Sequence, residues 1–269
     1  MNPGVLPEGS EGGLSIFPKV WQLRTMAIRP LLAFLLIATV ARGDPLSDKA
    51  RLHLAALGGS ARVAALNAMR ATGTVVTAGA RVRFNLTAAR PDRLRMEMDS
   101  GGRTKVQAYD GVEAPWEIDT GTWPPRYQPM PENLAKSFMA DSEFDDPLVV
   151  GAAGGYSFAD GGEVTTGGRS FVRIMVTRPL RETYSLLLDA DTHLIAMRIE
   201  KRQSVSGRAL QLVTRFEDYR PVQGVLLAHR ITLAVDGKVS QETLIDQIEP
   251  IPPPLPEVFA RPKALSGAR

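Results

Sequence analysis

Residues 81–118, RVRFNLTAARPDRLRMEMDSGGRTKVQAYDGVEAPWEI, contain three consecutive runs of strict apolar/polar alternation. In the first, Val82, Phe84 and Leu86 alternate with Arg81, Arg83 and Asn85. In the second, Leu94, Met96 and Met98 alternate with Arg93, Arg95, Glu97 and Asp99. In the third, Val106 and Ala108 alternate with Lys105 and Gln107, leading to Tyr109-Asp110-Gly111 and Trp116. Successive side chains of a strand point to opposite faces, so this pattern predicts an antiparallel meander with one dry and one wet face. The breaks agree: Arg90-Pro91-Asp92 interrupts a ladder, Ser100-Gly101-Gly102 permits positive φ, and Asp110-Gly111 is a turn signal.

The same language fills the second half of the chain. Strands are predicted over 171–177, 183–189, 194–200, 210–219, 225–235 and 239–248, separated by Gly167-Gly168, Ala190-Asp191, Ser206-Gly207, Gln223-Gly224 and Asp236-Gly237. The expected fold class is therefore mainly β (α+β). A strongly curved antiparallel sheet would form an open barrel or sandwich. Two short helices precede it: one capped by Asp48, with Leu52, Ala55 and Ala56 on one face and closed by Gly58-Gly59, and one over 61–69. Residues 119–155 interrupt the strands. Trp123-Pro124-Pro125 and the 129–131 prolines break the chain, and 132–140 reads as a helix carrying Leu134, Phe138 and Met139. Such an insertion is expected to cover a pocket.

The front end reads as an export signal. Arg24 and Arg29 precede an apolar run from Leu31 to Val40 and then Ala41-Arg42-Gly43. That run is about half the ~20 residues that a membrane span needs, so cleavage near residue 43 and a periplasmic chain are expected. Met26 opens the signal as well as Met1 does. The expected organisation is 1–43 as extension and signal peptide, 44–262 as one domain and 263–269 as a tail. Removing four of the 32 basic and two of the 29 acidic residues with the signal leaves 28 against 27, so net charge steers nothing. The chain has no cysteine, hence no disulfide framework and no thiol chemistry. Aromatic residues make up 6% and no basic run occurs, which sets nucleic acid aside.

Catalytic material is sparse. His53, His193 and His229 have no partners at metal-ligand spacing, and each is read as a surface or half-buried side chain. No nucleophile elbow or phosphate loop is present. The acidic run 141–146, Asp-Ser-Glu-Phe-Asp-Asp, lacks calcium-loop spacing and is read as a solvated helix end. Neither an enzyme, a metal nor a cofactor is expected. Soft apolar side chains are abundant instead, and a cavity lined by them would take acyl chains.

Several motifs, in order, resemble the periplasmic outer-membrane lipoprotein-sorting (LolA-like) carrier family: Leu57-Gly58-Gly59 with Met69 and Gly73; Arg90-Pro91-Asp92-Arg93-Leu94; Tyr109-Asp110-Gly111 with Trp116; Phe216-Glu217-Asp218-Tyr219-Arg220 before Gly224-Val225; and Phe259 with Pro262. The resemblance implies an unclosed half-barrel lidded by short helices. It implies a non-enzymatic carrier of lipoprotein acyl chains, or of phospholipid, that takes cargo from an inner-membrane transporter towards an outer-membrane receptor. The expected lipid-binding residues are Phe84, Leu86, Leu94, Met96, Trp116, Phe138 and Met139, with Arg90 as the lid latch. The chain is expected to act as a monomer. Leu226-Leu227-Ala228, where the family often has a proline, and the proline run from Pro250 depart from the pattern. The alternative reading is a periplasmic lipid- or lipoprotein-sensing regulatory protein.

Overall fold

Strand pairing organises the molecule. The computed structural model describes residues 45–121, 125–178, 183–203 and 207–262. The expected signal at 1–43, the tail 263–269, Trp123-Pro124 and Ser206 lie outside them. Helices α1 (Pro45–Ala56) and α2 (Ser60–Ala65) precede β1 (Ala68–Thr77), β2 (Ala80–Ala89), β3 (Arg93–Ser100), β4 (Arg103–Tyr109), β5 (Trp116–Asp119) and β6 (Arg126–Pro129). An insertion follows, with α3 (Glu132–Asp141), α4 (Pro147–Val150) and a 3-10 turn (Gly151–Gly154). The second half holds β7 (Ser157–Thr166), β8 (Arg169–Thr177), β9 (Tyr184–Asp189), β10 (Ile195–Gln203), β11 (Ala209–Val222), β12 (Val225–Val235) and β13 (Lys238–Pro250).

The described residues form one 13-stranded antiparallel sheet in the order β6-β5-β4-β3-β2-β1-β13-β12-β11-β10-β9-β8-β7. Each half is a meander of neighbours, and the β1–β13 pairing joins them. The edges β6 and β7 do not pair with each other, so the barrel stays unclosed.

Directly paired residues share a face, so the register can be followed from strand to strand. Val172, Ile174, Leu186 and Leu188 lie on one face of β8 and β9 and pack with Leu46 of α1 and Leu148 of α4. This is the inner face. It continues from Leu186 through Arg198, Thr214 and Leu233, and from Phe216 through Ile231, Thr243 and Val75 to Val82. On β2 and β3 it carries Phe84, Leu86, Leu94 and Met96.

The outer face is covered at the other end of the sheet. Phe259, fully buried, packs on Ala68 and Ala89. The indole Nε1 of Trp116 donates to its carbonyl at 3.0 Å. The guanidinium of Arg93 lies 5.5 Å from the Phe259 ring.

Three local expectations change. The second helix ends at Ala65 and Leu66 is already extended, so Met69 lies on β1. Asp48 sits in the first turn of α1, which starts at Pro45. Both edge strands depart from expectation: β6 is a four-residue strand inside the segment read as interrupting the strands, and β7 is mostly exposed, with a register shift between Asp160 and Glu163 at Gly161-Gly162, so no alternation marks it. The motif glycines meet in space. A Cβ on Gly58, at φ 121°, would stand 2.1 Å from the Gly224 carbonyl oxygen, so the end of α1 can lie against the β11–β12 turn only as glycine.

Candidate functional site

The inner face is not covered evenly. Over β8–β10 the helices α1 and α4 seal it. Across the middle strands Leu86, Met96, Ile231, Leu233, Ile245 and Ile248 stay only half-buried. This apolar floor runs up to a cavity of about 200 Å³ through Met69 and Phe216, which line both. Leu57, Val63 and Leu66 from the helical segment form another wall. The volume is below the roughly 300–1,000 Å³ of ordinary small-molecule pockets.

One end of this cavity is polar. Arg90, at the end of β2, sends Nε and Nη2 to the two oxygens of Asp145 at 2.6 and 2.7 Å. Its Nη2 also donates to the Val63 carbonyl at 2.7 Å and its Nη1 to that of Ala64 at 3.1 Å. The guanidinium lies 5.1 Å from the Phe144 ring. Beside it, His53 is 1% exposed, with Nδ1 2.8 Å from the His193 carbonyl and Nε2 3.1 Å from Asp146 Oδ2. Asp146 also caps α4, its Oδ1 accepting from the Leu148 and Val149 amides at 2.9 and 3.2 Å.

The remaining acids of the run are anchored too. Glu143 accepts from Arg178 and from the Tyr156 hydroxyl, and Asp141 stands 3.6 Å from Arg198. Arg178 lies 5.4 Å from the rings of both Tyr156 and Tyr184. Burial and then the Glu143 hydrogen bond raise the Tyr156 pKa. The run 141–146 is therefore not a solvated helix end. It fastens the insertion to α1, to the end of β2, to the end of β8 and to β10, one carboxylate for each.

Two solved structures match this architecture over most of the chain. A domain from Vibrio parahaemolyticus, named for outer-membrane lipoprotein sorting, matches with a TM-score of 0.52 at 12% identity, covering 76% of this chain and 91% of its own. A DUF1329 family protein from Desulfovibrio piger matches with a TM-score of 0.52 at 11% identity, covering 77% and 93%. The chain has the lipoprotein-sorting fold. A LolA-superfamily protein from Nitrosomonas europaea is also similar, with a TM-score of 0.47 at 12% identity over 72% of this chain and 90% of that one. No protein-family model and no curated protein matches the sequence.

On this lipoprotein-sorting fold the expected site residues separate into groups. Phe84, Leu86, Leu94 and Met96 share the inner face, Phe84 and Leu94 buried and the other two half-buried. Phe138 and Met139 of α3 are half-buried, and α3 is tied over β10 by the Arg202 guanidinium donating to Ser137 Oγ at 2.9 Å. None of these six lines the 200 Å³ cavity, whereas Arg90 does. Trp116 stands apart, because it faces outward. Met96 pairs with Gln107 and Gln107 with Glu117, so on β4 and β5 the inner positions are polar and Ala108 and Trp116 point to the other side. On the inner side Glu117 is buried, held by Lys105 at 2.7 Å, Gln107 at 2.9 Å and Gln128 at 2.5 Å. Burial alone would raise its pKa, but these donors outweigh it and lower the value.

Sequence reasoning missed His53 and the acidic run. His53 is the last-turn residue of an amphipathic helix and its partner lies 93 positions away, so nothing local marked it. Burial works against its imidazolium, but the hydrogen bond and charge of Asp146, with the His193 carbonyl, outweigh this and raise the pKa above the usual histidine value. Such a pair contributes its full stability below about pH 6.5 and loses it as pH rises through the raised folded value. Asp146→Asn keeps a capping side chain and removes the charge. The stability gap between the natural protein and D146N, from urea midpoints, is expected to be wide near about pH 5.5 and narrow near about pH 9. A gap independent of pH would mean that His53 is neutral throughout.

Proposed function

We propose that this chain is a non-enzymatic carrier that shields acyl chains of lipoproteins, or of other lipids, on its inner face for transfer towards the outer membrane. The observation carrying this reading is the half-buried apolar floor running into the cavity between Met69 and Phe216. A twelve-carbon chain laid along it gains roughly 10 kcal/mol of burial, at about 0.8 per CH₂, before ordering costs. The segment 24–43 would export the chain to the periplasm, where it would work as a monomer between an inner-membrane transporter and an outer-membrane receptor. Arg90 is assigned the latch: it joins β2, the α2 carbonyls and the insertion.

Native mass spectrometry of the protein purified from a periplasm, followed by organic extraction, tests the reading. Recovered phospholipid or acylated lipoprotein is the expected result. Leu86→Glu and Ile231→Glu place a charge in the floor and are expected to abolish recovery while the protein stays folded, since both positions are half-buried. A natural protein that comes out empty and takes up no fluorescent fatty acid would remove the carrier assignment.

A further inference from the structure

The cavity is apolar except where His53, Arg90, Asp145 and Asp146 meet. Arg90 and His53 come from the body of the fold, the end of β2 and α1, and Asp145 and Asp146 come from the insertion. The guanidinium fork of Arg90 is occupied on both nitrogens by one carboxylate in the geometry that a bound anion would take. We infer that Asp145 occupies, in the closed protein, a binding site for the anionic head group of an acyl amphiphile, a carboxylate or a phosphate.

The physical argument is one of exchange. If the insertion lifts to admit a chain, Asp145 leaves with it and Arg90 is stranded at the end of an apolar cavity. A partly buried guanidinium without an anion is costly, and the backbone carbonyls of Val63 and Ala64 carry no net charge to replace it. A ligand with a neutral head leaves that cost in place. An anionic head removes it by taking over the fork, and His53, next to it in the same wall, can supply a second donor. The site then selects among acyl ligands by head charge. This rests on the acyl-carrier reading above.

Calorimetric titration of the full chain with decanoate, decyl phosphate and 1-decanol tests it, with acetate and inorganic phosphate as head groups without tails. The two anionic amphiphiles are expected to bind about tenfold more tightly than 1-decanol, and the tail-less anions not measurably. Arg90→Gln removes the fork while loosening the cover equally for every ligand, so it should bring decanoate and decyl phosphate down to the affinity of 1-decanol. Equal affinity of the three amphiphiles would overturn the head-group site and leave the acyl carrier standing. Binding of none of them would overturn both. Inorganic phosphate binding as well as decyl phosphate would make this a free-anion site and overturn the proposal. An R90Q variant that keeps the tenfold preference for the anionic amphiphiles would place their head groups elsewhere, which also overturns it.

Discussion

Arg90→Ala is expected to destabilise the protein by about 2–4 kcal/mol and to raise amide hydrogen exchange over 131–150 more than anywhere else. The substitution removes the two bonds to Asp145, the bonds to Val63 and Ala64, and the contact with Phe144. The side chains of Arg90 and Asp145 are 20% and 19% exposed, so solvent screens the pair less than a surface pair and more than a fully buried one. That places the loss below the ~3–5 kcal/mol of breaking a fully buried pair and above the ~1 kcal/mol of an exposed pair. Adding Asp145→Ala to R90A should restore part of the stability, because the stranded carboxylate goes. Arg90→Lys should restore little, since an ammonium cannot fork onto Asp145 and reach two carbonyls at once. An R90A protein within about 0.5 kcal/mol of the natural one, with unchanged exchange in the insertion, would exclude the latch. The magnitudes also suit a carrier: roughly 10 kcal/mol of acyl burial exceeds a latch worth about 2–4.

Phe259→Ala is expected to have the largest effect of any single truncation considered, about 3–5 kcal/mol, or a fall in Tm of roughly 10 °C. The ring is fully buried against Ala68 and Ala89, which are too small to collapse into the space it would leave. Its carbonyl also anchors the Trp116 indole. Trp116→Phe loses that bond and part of a ring that is buried against Val106 and Ala108, so about 1–3 kcal/mol is expected. Both residues lie on the outer face, so folded F259A and W116F should bind acyl ligands as the natural protein does. Urea unfolding with a parallel fluorescent fatty-acid titration reads both quantities. Normal stability with lost binding would mean that Trp116 does line the lipid site and that the separation of faces is mistaken.

The outward turn of Trp116 was within reach of the sequence. The two-residue turn Gly101-Gly102 places Ser100 opposite Arg103, and counting back from there sets Met98 against Lys105 and Met96 against Gln107. The dry side of β4 is thus opposite to that of β3. Apolar alternation shows each strand which of its residues are dry, but only the register between strands tells whether two dry sets share a face. Alternation marks Val106 and Ala108 as dry, and burial agrees, but a single dry face for all three runs puts them on the wrong side.

Local chemistry in the sequence determined most of the strands and turns, the helix of the insertion and the absence of any thiol, because alternation, glycine, proline and composition act within a few residues. It located Arg90 only through a motif, and it identified as bland the two features that the tertiary structure makes most specific. His53 finds Asp146 across 93 residues, and Asp141, Glu143, Asp145 and Asp146 each find a different basic side chain. A charge has no period, and its partner is chosen by which elements the fold brings within about 3 Å of it. Which acids hold the cover, which face stays apolar and half-open, and where the cavity turns polar were decided only when the β1–β13 pairing joined the two meanders.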